Sequence, residues 1–303
     1  MPLVNATPLL AQARAGGYAL AAFNLDTVAL VRPLIRAAVE EQAPVIIQAG
    51  PVGLRAAGLE ALAAVVRVEA NAARVPIGLH LDHGTDLEEV AACLAAGFTS
   101  VMLDGSLLAP DEKLRLTRQA VAVARARSAG VEAELGPIAG AEEGITVAAA
   151  AARMTDPDEA RAFVDRTQVD ALAVSVGNVH TPPPAPVELD LDRLRQIAAR
   201  VHVPLVLHGG SSVTEASLVR AVRLGVAKVN IAHVINRAFV GGARQALGAG
   251  ASRPSQVLAE AEEAVVTAAR ERIRLLGAAG TAGWAYRSAS SRSASRCCLS
   301  EGC

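Results

Sequence analysis

A strand-then-helix alternation, repeated eight times, constrains this chain more than any other feature. Short apolar runs, often opened by Pro or by a Gly-containing turn, predict strands over 18–24, 44–49, 76–82, 99–104, 131–135, 170–176, 204–208 and 227–231. Segments of helical period follow them over 26–42, 59–74, 87–96, 111–129, 158–166, 191–200, 215–223 and 235–247. Asp26, Asp86, Asp156 and Thr214 are N-cap residue types. Gly97, Gly130 and Gly225 stand where helices need a left-handed C-cap. Runs such as Pro44-Val45-Ile46-Ile47 and Pro204-Leu205-Val206-Leu207 are apolar at consecutive positions, as strands buried on both faces of a parallel sheet are. Eight such units in about 250 residues fit an α/β fold of the closed (β/α)8 TIM-barrel type. The competing open, doubly wound sheet would carry a glycine-rich dinucleotide fingerprint after its first strand, and none is there.

Three segments stand outside the repeat. Residues 7–15 read as a short helix closing the barrel bottom, and 254–276 as a C-terminal helical extension. Residues 136–156 form a long excursion after the fifth strand, a length used for lids and active-site elements. The barrel domain is therefore expected over 1–277. Residues 278–303, a Ser/Arg/Gly/Cys tract without apolar period, are expected to be a disordered tail. At 52% hydrophobic and only 2% aromatic, the core must be filled by Ala, Val, Leu and Ile. That suits helices and buried parallel strands better than a platform for stacking bases. Lys and Arg (29) balance Asp and Glu (30), which excludes a basic footprint for nucleic acid or an anionic membrane. No run approaches the roughly 18 apolar residues of a membrane span, and no basic n-region precedes an apolar stretch at the start. Cys93 lies within the repeat, while Cys297, Cys298 and Cys303 crowd the end, which is no disulfide framework. A cytoplasmic protein is expected.

In such barrels the functional side chains collect at the C-terminal ends of the strands. Those ends read Asn24, Gln48, His80-Leu81-Asp82-His83, Asp104-Gly105-Ser106, Glu132-Ala133-Glu134, Ser175 to His180, His208-Gly209-Gly210-Ser211-Ser212 and Asn230. Every strand brings a polar group to one rim. Of six histidines, His83, His180 and His208 fall there. One rim histidine is more often packing, but three imidazoles from three strands with a fourth position open make a catalytic Zn²⁺ site. His80 reads as an interior hydrogen-bonded residue, His202 as turn surface and His233 as a further candidate. Asp82, beside His83 but pointed differently, suits proton transfer, with a strand-to-helix cap as its competing role. Asp104 and Glu134 read as acceptors for imidazole N–H groups or as a second metal site, with plain salt bridges as the alternative. Glu142 and Glu143 are loop carboxylates able to act as a base on loop closure, or simply solvated charges. His208 to Ser212 has the character of an anion nest ahead of a helix. With Asn230 it marks the corner where such barrels hold phosphate.

These residues resemble a known family, the class II, zinc-dependent ketose-bisphosphate aldolases, particularly the tagatose-bisphosphate branch. The matching stretches are Ala22-Phe23-Asn24, Ala43 to Ile47, His80 to His83, Ser100 to Ser106, Val131 to Gly136, Gly177-Asn178-Val179-His180, Leu207 to Ser211 and Lys228-Val229-Asn230. They spread in family order across residues 3 to 277. The resemblance implies zinc on His83, His180 and His208, Asp82 as proton donor and Glu142 as loop base. It implies that Asn24, Thr181, Gly209, Gly210, Ser211, Asn230 and His233 surround the substrate and its phosphate, with a monovalent cation (Na⁺ or K⁺) beside it. The expected reaction is reversible cleavage of a tagatose or fructose 1,6-bisphosphate; assembly as a homodimer or homotetramer is also expected. Four positions depart from the family pattern: Thr181 and Ser212 replace Gly, His233 replaces Thr or Asp, and Gly50 replaces a hydroxyl residue. All four lie near the substrate, so a modified or missing phosphate at one end of the sugar is predicted. The rivals are a Schiff-base aldolase and a non-catalytic barrel subunit. Lys113 and Lys228 are the only lysines, and only Lys228 sits on a barrel strand.

Overall fold

A computed structural model describes residues 3–105, 108–140, 146–151, 153–180 and 185–283. Ser106, Glu142, Glu143, Thr181 and residues 284–303 lie outside the described residues. Eight parallel strands close on themselves in chain order: β1 (Leu20–Asn24), β2 (Val45–Ala49), β3 (Ile77–Gly84), β4 (Ser100–Leu103), β5 (Gly130–Leu135), β6 (Ala171–Val174), β7 (Leu205–Leu207) and β8 (Val226–Ile231). β8 returns to β1 with Ala22 opposite Asn230, and this is the barrel that the alternation predicts. The strands are buried almost throughout. Their apolar positions pack against helices whose buried faces are rich in Ala, Val, Leu and Ile, as the scarcity of aromatics requires.

Helix starts follow local chemistry. The side chains of Asp86, Asp156 and Thr214 accept hydrogen bonds from backbone N–H groups of the first turn, as predicted. At the first helical segment it is Thr27, not Asp26, that caps, because the segment opens with a short 3-10 turn, Val28–Leu30. Gly97 and Gly225 adopt positive φ as expected. Gly130 does not: Ser128 (φ 57°) makes the left-handed turn, and Gly130 is already the first residue of β5. A Cβ there would lie 2.3 Å from the Thr7 hydroxyl, so its small size seats the N-terminal helix Thr7–Gly16 under the barrel. Pro51–Ala57 is a short helix outside the predicted repeat, and Pro51 stands at its first position, where its missing N–H costs no helical hydrogen bond.

The bottom of the barrel is closed by Ala6, Thr7 and Leu10 over a cavity of about 10 Å³ that His80, Glu132 and Lys228 line from above. The extension Pro254–Leu275 packs on the helices His233–Gly248 and Val31–Glu40. Ordered chain continues past the expected boundary at 277. Gly280 and Ala282 donate backbone hydrogen bonds to the carbonyls of Glu41 and Gln42. Among the described residues no helix is long and apolar enough to cross a membrane.

Candidate active site

Alternation along β3 builds the first half of the site. His80 and Asp82 both turn into the barrel and are nearly fully buried. His83 would by alternation point elsewhere, but its backbone takes φ 51°, a conformation few non-glycine residues adopt. The pairing of β3 with β4 also slips between Leu81 and Gly84. The imidazole consequently stands over the rim, with Nδ1 2.7 Å from Asp104 Oδ2. Its ring lies 4.8 Å from that of His208 and 5.0 Å from that of His180.

β5, β7 and the loop after β6 complete a cluster. Glu132 and Glu134, two residues apart on β5, both reach His208, which is fully buried just after β7. His208 Nε2 is 2.8 Å from Glu132 Oε1, and its Nδ1 is 3.1 Å from Glu134 Oε2. With the Nε2 hydrogen donated to Glu132, the Nδ1 lone pair faces the cluster. His180 is held through its backbone N–H, which donates to the Ala139 carbonyl at 2.8 Å, and its ring stacks on that of His208 at 5.7 Å. One donor atom from each of His83, Glu134, His180 and His208 lies within 4.8 Å of the others. His208 Nδ1 and Glu134 Oε2 are buried without a hydrogen-bond partner. A shared proton or a metal cation can satisfy both atoms at once, and three imidazoles with one carboxylate suit Zn²⁺. Glu134 thus stands with the three histidines in one cluster, while Asp104 holds His83 through its Nδ1.

Asp82 sits beside this cluster in a net of amides. Its Oδ2 accepts from Asn24 Nδ2 (2.7 Å) and its Oδ1 from Asn230 Nδ2 (3.0 Å); Asn24 in turn accepts from Gln48 (2.9 Å). Four strands therefore fix one carboxylate. Burial favours its neutral form, but the charges of His83, His208 and Lys228 outweigh that and hold it at about 2. Burial likewise opposes charge on His83, yet Asp82 and Asp104 lift it to about 10. His208, buried between Glu132 and Glu134, is raised to about 9. In the metal-free chain these imidazoles hold protons that a metal would displace.

At the adjoining corner, Gly209 adopts φ 67°, and a Cβ on it would lie 2.0 Å from the Val179 carbonyl oxygen. No other residue fits. It opens the 3-10 turn Gly210–Ser212, whose Ser211 hydroxyl accepts from the Val234 N–H at the start of the helix His233–Gly248. His233 is the exposed first residue of that helix. The buried Ser212 hydroxyl and Asn230 Oδ1 lack hydrogen-bond partners here. Gly209, Gly210 and Ser211 after β7, Asn230 near the end of β8 and His233 at the start of the following helix thus lie at one corner of the rim.

Lys228 answers the Schiff-base alternative. It is 1% exposed, and its Nζ donates to Glu132 Oε2 at 2.8 Å, so it is neither free nor reachable. His80 binds Ser100 through Nδ1 (2.8 Å) inside the barrel, and His202 is exposed, both as expected. Glu132 and Gln48 had not been assigned roles. Their signal was present: Glu132 shares the inward face of β5 with Glu134, and Gln48 lies near the end of β2 at the level of Asn24.

A family model described as "Fructose-bisphosphate aldolase class-II" matches residues 4–281. A sulfofructosephosphate aldolase from Alkalicoccus urumqiensis is 34% identical over 282 residues, 91% of this chain and 97% of that protein. Among solved structures, the YdjI aldolase from Escherichia coli K12 superposes with a TM-score of 0.82 at 32% identity, covering 92% of this chain and 99% of that one. A fructose-bisphosphate aldolase from Campylobacter jejuni shares the fold, with a TM-score of 0.79 at 23% identity, over 92% and 96% of the two chains.

Proposed function

We propose a zinc-dependent aldol cleavage for this chain, which belongs to the class-II fructose-bisphosphate aldolase family and is a carbon–carbon lyase of that class. Its substrate is a ketose 1,6-bisphosphate of the fructose or tagatose type, cleaved reversibly to dihydroxyacetone phosphate and glyceraldehyde 3-phosphate. The observation that carries this reading is the convergence of His83, His180, His208 and Glu134 beside a carboxylate gripped from both sides.

His83, His180 and His208 would hold the zinc, with Glu134 at the same centre. Zinc, when bound, supplies a Lewis acid for the ketone oxygen and for the negative charge left on the three-carbon fragment. Asp82 is a carboxylate at rest, and each of its oxygens keeps a second lone pair. In the cleavage direction it takes the proton of the C4 hydroxyl as the C3–C4 bond breaks; in condensation it returns it. The amides of Asn24 and Asn230 hold Asp82 for that transfer and resist its drift toward the cation. Glu142 is assigned the proton exchange at C3. Gly209, Gly210, Ser211, Asn230 and His233 receive the C1 phosphate at the start of a helix, with Thr181 and a monovalent cation beside it.

A second reading keeps the mechanism and changes one end of the sugar. The similarity to a sulfofructosephosphate aldolase supports a sulfonated fructose phosphate as substrate, and the replacements at Gly50, Thr181, Ser212 and His233 fit an altered anion. Cleavage should vanish on chelation and return with Zn²⁺; activity indifferent to chelator would refute the reaction class. Rates on fructose and tagatose 1,6-bisphosphates, their monophosphates and a 6-sulfonate analogue then choose the substrate.

A further inference from the structure

Behind the metal cluster lies a buried charged chain that the reaction itself does not use. Lys228 Nζ donates to Glu132 Oε2 at 2.8 Å, and Glu132 Oε1 accepts from His208 Nε2 at 2.8 Å. All three side chains are buried, with 3% or less of their surface exposed. We infer that Glu132 and Lys228 are positioning residues for the metal centre, holding His208 in the ring orientation and tautomer that make Nδ1 its donor atom. This rests on the zinc reading of the cluster.

The chemistry of an imidazole makes the point. A neutral ring has one N–H and one lone pair, so the nitrogen that loses its hydrogen is decided by what the other one binds. An ionised Glu132 can only accept, so it selects the Nε2–H form and leaves the Nδ1 lone pair toward Glu134 and the other histidines. The Lys228 ammonium stands against the second oxygen, so Glu132 is held with Oε1 turned to His208 and cannot swing away from it. His80 does not compete for Glu132: its Nε2 is 3.7 Å from Oε2, beyond hydrogen-bond range, and its Nδ1 is engaged by Ser100. Below the chain the N-terminal helix leaves a cavity of only about 10 Å³, with no bulk solvent to take over the role of lysine.

A purely structural ion pair makes a different prediction, because a buried pair replaced as a pair by neutral groups of similar size often costs little. Glu132→Gln keeps the shape and adds a donor; Lys228→Met keeps most of the length and removes the charge. Zinc affinity by chelator competition and the melting temperature of the chelated protein should be measured for the full chain, E132Q and E132Q/K228M. E132Q is expected to bind zinc about 10- to 100-fold more weakly. The double variant is expected to melt close to wild type yet stay weak in zinc binding. Restoration of zinc affinity together with stability in the double variant overturns the inference. Nitrogen-15 NMR of the zinc-loaded wild type tests it without any variant, since ligation of His208 through Nε2 overturns it too. A wild type that binds no zinc refutes the metal reading beneath it, whereas wild-type zinc binding with unchanged E132Q affinity refutes the positioning role alone.

Discussion

At the scale of single residues, the site depends on a few side chains whose neighbours leave them no freedom. Asp82 is the clearest, since Asn24 and Asn230 each occupy one of its oxygens. Asp82→Ala should lower turnover by about 10² to 10⁴ while zinc content stays at the wild-type level; unchanged turnover removes Asp82 from the mechanism. Gly209 is as constrained by space as Asp82 is by hydrogen bonds. Gly209→Ala meets both a positive φ and a carbonyl oxygen at 2.0 Å, so it should cost about 1–3 kcal/mol or more and shift His208, its neighbour in sequence. Calorimetry and a zinc titration on the same variant check this. The three histidines and Asp82 were legible in the sequence because a barrel forces strand ends to one rim. Their orientations were not. Simple alternation misdirects His83, whose positive φ arises from the slip between β3 and β4 and leaves no mark in the residue order.

At the scale of elements, strands were legible to within a residue or two because Pro and Gly punctuate them, as at Pro44, Pro76 and Pro204. Short helices without a full apolar stripe were not, and Pro51–Ala57 is the example. The C-terminal helix shows how an element beyond the repeat is secured. Its Arg270 and Arg274 both reach Glu41, at 2.7 Å each, while Gly280 and Ala282 bond the backbone next to it. Arg274 first, and then Arg270, hold the Glu41 carboxyl below its usual range against the effect of burial. A depressed carboxyl contributes stability above its unfolded pKa, about 4.3, and loses it as pH falls through the lower folded value. Glu41→Gln should therefore melt a few degrees below wild type at pH 7, for about 1–2 kcal/mol. The gap should close as the pH is taken toward 3. Thermal scans of both proteins across that range decide it, and a gap independent of pH would mean that packing, not charge, makes the contact.

At the scale of the whole molecule, the cluster is a consequence of closure. His83, Glu134, His180 and His208 come from four different strand–helix units, and only the closed order β1 to β8 brings them within reach of one ion. The unfolded chain has no equivalent site, so zinc held at the cluster would bind only the native state and pull the folding equilibrium with it. A cation held there would also bridge segments far apart in the sequence. At a free zinc concentration one hundred times the dissociation constant, the linkage is worth about 2.7 kcal/mol. In a domain of this size that raises the melting temperature by roughly 5–10 °C over the chelated protein. The same addition to a His83→Ala, His180→Ala or His208→Ala variant should give a much smaller rise, each having lost one of the three imidazoles. Calorimetric scans with zinc and with chelator separate the cases. Equal melting temperatures in the wild type would mean that these residues, though gathered by the barrel, do not form a metal centre.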